Sequence, residues 1–62
     1  MRPLNQRQKD VVQKVCQGLK NAEIAALMGV SEKSIKDVLT RIFKKMGVRN
    51  RVELVRKEKG IV

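Results

Sequence analysis

Apolar residues recur along this chain at three- and four-residue spacings and never alternate strictly, which predicts helices and no strands. Val11, Val12, Val15, Cys16 and Leu19 form the first stripe, opened by Asn5 as N-cap with Gln8 three residues on as its capping-box partner, and ended near Gly18. Asn21 reads as the next cap, with Glu23 in the first turn, where the helix dipole favours a carboxylate. That second, short segment carries Ile24, Ala25, Leu27 and Met28 and closes at Gly29. Ser31 caps a longer third segment in which Ile35, Val38, Leu39, Ile42 and Met46 share a stripe, with Gly47 at its end. Asn50 caps the fourth, with Glu53 in the capping-box position; it carries Val52, Leu54 and Val55 and stops near Gly60.

The second segment, the Gly29-Val30-Ser31 turn and the third segment together read as a helix-turn-helix unit. A glycine there lets the chain turn sharply between crossed helices, and the second of the two is the one that enters a major groove. Ile24, Ala25 and Leu27 before the turn, Val30 within it, and Ile35 and Leu39 after it are expected to lock the pair. Ala25 is small enough for close approach at the crossing.

Charge sharpens this picture. The chain carries 15 Lys and Arg against 6 Asp and Glu, a net charge of +9 in 62 residues. Such self-repulsion costs stability and points to a polyanionic partner. Ten of the basic groups fall after residue 32, against three acidic ones. On a helical wheel of the third segment, Lys33, Lys36, Asp37, Thr40 and Lys44 gather opposite the apolar stripe, with Arg41 and Lys45 at its flanks. Lys36, Asp37 and Thr40 are best placed for base edges: Lys donates to guanine O6 and N7, Asp accepts from cytosine N4, and a Thr methyl touches the thymine methyl. Lys33, Ser34, Arg41, Lys44 and Lys45 are assigned to phosphates, which position without specifying. A carboxylate on a groove face gains a non-specific binder nothing, so Asp37 argues for sequence-specific reading.

Leu54 points away from Val52, so the fourth segment has two apolar faces. Val52, Val55, Arg56 and Lys59, at i, i+3, i+4 and i+7, form the second, either a contact with another subunit or a face on which Val52 is simply an exposed valine. Cys16, Met28, Met46 and Phe43 read as packing residues. Ile61 and Val62 add to the core or fray.

Other chemistry is poorly supplied. The chain has no His and a single Cys, so neither a structural zinc site nor an internal disulfide is expected. No glycine-rich phosphate loop and no helical pair of carboxylates is present, so no enzyme activity, cofactor or small-molecule ligand is expected. With one Phe and no Tyr or Trp, single strands would find no stacking platform. No apolar run approaches the ~20 residues of a membrane span, and no signal-peptide stretch follows Met1; the expected location is the cytoplasm, at the nucleoid.

Taken together, Leu4, Arg7, Val11-Val12, Gly18-Leu19, Asn21, Glu23-Ile24-Ala25, Leu27 to Ser31, Ser34-Ile35-Lys36, Lys44 to Val48 and Arg51 closely resemble the LuxR/GerE-type helix-turn-helix domain, ungapped from Leu4 to Val55. The resemblance implies a four-helix domain that binds DNA as a dimer, third helix in the major groove and fourth helix at the dimer contact. It implies a regulator of transcription, in some members touching RNA polymerase, commonly the output domain of a response regulator or quorum-sensing receptor. Two positions depart from the family. Gln8 stands where it usually has Glu, removing an ion-pair partner for Arg51, and Val38 stands where it usually has His, on the core side of the wheel. The expectation is one all-α, four-helix domain over residues 1–62, a transcription regulator's DNA-binding domain. The alternatives are a protein-interaction adaptor and a sigma-factor-like promoter reader.

Overall fold

The structure, a computed structural model, describes residues 4–60. Four helices follow one another: α1 (Gln6–Cys16), α2 (Asn21–Met28), α3 (Glu32–Met46) and α4 (Arg51–Lys59). Among the described residues there is no strand. Ile61 and Val62 lie outside them.

The helix starts follow from side-chain oxygens that satisfy otherwise orphaned N–H groups. Asn5 accepts from the Gln8 amide at 2.8 Å, while Gln8 Oε1 accepts from the Asn5 amide at 3.0 Å, a complete capping box. Ser31 Oγ accepts from the Ser34 amide at 3.1 Å and Asn50 Oδ1 from the Glu53 amide at 2.9 Å. Two cap expectations are corrected. The N-cap of α2 is Lys20, not Asn21; the Glu23 carboxylate takes the Lys20 amide at 2.8 Å, so the helix starts one residue early and Asn21 keeps its side chain for another partner. Glu53 does not close a box on Asn50: its carboxylate reaches one residue further back, to the Arg49 amide at 2.9 Å.

The core is a single cluster of Val11, Val12, Val15, Ile24, Ala25, Ile35, Leu39, Ile42 and Leu54. α3 lies against both α1 and α2, and α4 rests on α1. Cys16, Met28, Val38, Phe43 and Met46 are half-buried and pack onto the cluster's margin. Leu27 does not lock the helix-turn-helix as expected: it is 67 % exposed, and Met28 takes the inward position. The helical spacing decides this. Ile24 and Met28 stand four apart on the buried row, and Leu27 falls beside Glu23 on the outer one.

α4 has one buried residue, Leu54, and polar ties at both ends. Near its start, the Arg51 guanidinium donates to Asn21 Oδ1 at 2.8 Å and to the Leu19 carbonyl. Further along, Lys57 Nζ donates to the Met46 carbonyl, a cation on the negative end of α3. The missing Glu at position 8 thus leaves Arg51 with neutral acceptors.

The turn between α2 and α3 depends on Gly29 at φ +69°. There its own N–H and that of Val30 both reach back to the Ala25 carbonyl. A Cβ at Gly29 would meet nothing within 4 Å, so the cost of a side chain is purely that of the left-handed backbone. Gly29→Ala is therefore expected to lower stability by about 1 kcal/mol, read as a shifted urea midpoint with an unchanged slope. An unchanged midpoint would show that the turn relaxes out of this conformation at no cost.

Candidate nucleic-acid interface

α3 runs four turns with its apolar side sealed by α1 and α2, so the opposite side is left to solvent. Lys33, Lys36, Asp37, Thr40, Arg41 and Lys44 are all exposed on it. No large apolar side chain is exposed among them. Val38, in the place of the family's usual His, is half-buried on the core side. Thr40 Oγ1 donates to the Lys36 carbonyl one turn earlier, at 3.0 Å.

Two residues assigned to phosphates start from engaged side chains. Ser34 is half-buried; its amide is committed to the Ser31 cap, and its hydroxyl lies 3.0 Å from Ser31 Oγ. Lys45 is half-buried at the α1–α3 seam, where its ammonium donates to Gln8 Oε1 at 3.0 Å. Gln8 is itself buried, so this bond satisfies its amide oxygen as well as tying the two helices. The wheel placed Lys45 correctly at a flank; it could not show that the flank faces α1.

Beside the polar face, a shallow groove is lined by Asn21 from the start of α2, by Lys36, Thr40 and Phe43 from α3, and by Arg49 and Arg51 at the turn into α4. Sequence reasoning missed Arg49 and Asn21 here. Arg49 lies in a turn, where no periodicity assigns a direction. Its side chain is 88 % exposed and paired with Glu53 at 3.3 Å. Asn21 was read as a cap, which hid its availability. The groove extends the basic surface of α3 sideways, past Lys36, onto the next turn of chain.

A second surface forms on α4. Val52 (61 % exposed), Val55, Arg56 and Lys59 come together, and with Val15, Cys16 and Arg51 they line a shallow groove against the end of α1. Leu54, fully buried, points the other way. Two faces on one helix is the arrangement expected from the spacing.

With the geometry in place, comparison with known proteins gives a consistent answer. The family model described as "Bacterial regulatory proteins, luxR family" matches residues 2–57. The chain belongs to the luxR family. Its helix-turn-helix domain is 40 % identical over 55 residues to the transcriptional regulatory protein UhpA of Escherichia coli K12, covering 89 % of this chain and 28 % of that protein. It is 37 % identical over 49 residues to the nitrate/nitrite response regulator NarP of the same organism, covering 79 % and 23 %. Against the response regulator Rre1 of a Synechocystis strain it is 42 % identical over 50 residues, covering 81 % and 22 %. The chain thus spans about a quarter of the length of these relatives. No solved structure gives a significant match.

The luxR-family domain contains no helix long and apolar enough to cross a membrane, and no cluster of metal-ligating side chains, among its described residues. Cys16 sits half-buried at the edge of the core, where burial and the nearby Glu58 carboxylate push its thiol above the ordinary value, as suits a packing residue.

One titration bears on α4. The Arg49 amide, with the Arg49 guanidinium behind it, holds the Glu53 carboxyl below the ordinary 4.5. A depressed carboxyl contributes stability that is present above its unfolded pKa and lost as pH falls through its folded one. The start of the luxR-family α4 is therefore expected to loosen below about pH 4.5. The Arg49 and Glu53 amide resonances should shift with one shared acidic midpoint, and Glu53→Gln should remove that midpoint. A midpoint that survives in the variant would assign the effect to another carboxyl.

Proposed function

We propose that this domain binds a specific double-stranded DNA sequence as a homodimer and thereby regulates transcription, with α3 in the major groove and α4 at the dimer contact. The observation that carries the reading is the exposed side of α3. It presents four lysines or arginines, Lys33, Lys36, Arg41 and Lys44, around Asp37 and Thr40, and it stands free of the rest of the fold. A helix of this width fits the major groove, and its N-terminal half approaches the bases most closely. Lys36, Asp37 and Thr40 then read base edges, while Lys33, Arg41 and Lys44 hold phosphates. Arg49 and Asn21 extend the phosphate track along the adjoining groove. Ser34 and Lys45 join it by exchanging their present partners.

The dimer reading rests on Val52 and Val55 beside Arg56 and Lys59, an apolar strip edged by charge. Homodimeric binding would give a two-fold-symmetric operator. We place the domain in the bacterial cytoplasm, at the nucleoid, with no catalytic role and with RNA polymerase as a further partner of the assembled regulator. An adaptor surface would instead expose apolar anchors on α3, and that face carries none.

The test is selection of bound duplexes from a random-sequence pool, followed by titration of the winner over a salt series. A two-fold-symmetric winner with affinity falling steeply in salt is the expected result. Salt-sensitive binding with no enriched sequence would leave a non-specific polyanion binder, and no binding at low salt would overturn the proposal.

A further inference from the structure

We infer that Thr40 is a thymine-specific reader that recognises the base by its 5-methyl group and not through its own hydroxyl. The inference rests on the proposed placement of α3 in the major groove and goes beyond it by fixing the chemistry of one position.

A threonine on a recognition helix has two ways to meet a base. Its hydroxyl can donate to or accept from a base edge, or its γ-methyl can pack on the thymine methyl, which alone among the bases offers an apolar knob in the major groove. Sequence leaves these equal. The structure separates them. Thr40 Oγ1 donates its only proton to the Lys36 carbonyl at 3.0 Å, one turn back along the same helix. The hydroxyl is therefore drawn against the backbone and has no proton for a phosphate, for guanine O6 or N7, or for thymine O4. The γ-methyl is the part of this exposed side chain left for the groove. Its setting suits an apolar contact: Thr40 shares the groove beside α3 with Leu39 and Phe43, while Lys36, one turn earlier, supplies a donor for the neighbouring base.

Two substitutions divide the alternatives. Thr40→Ser keeps the hydroxyl and loses the methyl; Thr40→Val keeps the methyl and loses the hydroxyl. Neither touches the core, and unchanged thermal unfolding verifies this. The probe is the duplex selected by the unmodified domain, with each thymine replaced in turn by deoxyuridine, which lacks only the methyl. One replacement per half-site should weaken binding by about fourfold, the worth of burying one methyl-sized group. Thr40→Val should keep both the affinity and that sensitivity. Thr40→Ser should bind the thymine duplex about fourfold more weakly and be indifferent to uracil at that position. If no uracil replacement matters, or if Thr40→Val loses the sensitivity while Thr40→Ser retains it, the hydroxyl is the reader and the inference is overturned, with the DNA reading intact. If no duplex is bound or enriched at all, the placement of α3 falls and this inference with it.

Discussion

Leu54→Ala should leave the domain largely unfolded at room temperature. Leu54 is fully buried and is the one residue α4 places in the core. Truncating a buried leucine costs about 2–5 kcal/mol, depending on how far the site collapses. A chain of this length has only about 3–9 kcal/mol to lose. It also has no disulfide or metal to fall back on. A nine-residue helix has no independent stability in water, so without Leu54 only Arg51 and Lys57 would hold α4. Circular dichroism across a urea titration reads the result directly. Val55→Ala, at a half-buried position beside it, should cost far less. If Leu54→Ala kept its urea midpoint, α1 to α3 would be the true folding unit and α4 an appendage.

Lys36→Ala should cut affinity for the selected operator by about tenfold to a hundredfold, the range of 1–3 kcal/mol for a good base contact. Preference at one base pair of each half-site should fall with it. Folding should not change, because Lys36 is exposed and alanine favours the helix. Lys44→Ala makes the contrast. A phosphate contact should weaken every sequence alike and reduce the salt slope by about one. Binding titrations of both variants on the operator and on a scrambled duplex separate the two behaviours. Equal losses on both duplexes for Lys36→Ala would move it from the bases to the backbone.

Much of this architecture is legible before any coordinates. Asn5, Ser31 and Asn50 announce helix starts because each offers an oxygen to an orphaned amide, a local interaction that needs no tertiary context. The apolar rows of α1 and α3 announce their buried sides for the same reason. What escapes the sequence is decided by distant partners. Lys20 replaces Asn21 as the cap because Arg51, thirty residues away, claims the asparagine side chain. Leu27 is out and Met28 in because α2 is apolar nearly all round, so its periodicity does not choose a face. The basic face of α3 was readable residue by residue, yet Lys45 turned out to answer Gln8, a residue 37 positions earlier. Arg49 and Asn21 join the groove only because two turns of chain fold beside α3.

The ties that close this bundle have a consequence for how it behaves in electrolyte. Lys45 and Arg51 donate to amide and carbonyl oxygens, and the one ion pair among the described residues, Arg49–Glu53, is at the surface. Little in the fold therefore depends on attraction between opposite charges, whereas the net charge of +9 opposes compaction. Added salt shortens the Debye length to roughly 10 Å at 0.1 M and so relieves that repulsion. The free domain should melt at a higher temperature as its hold on a polyanion weakens, two responses of opposite sign from the same set of lysines and arginines.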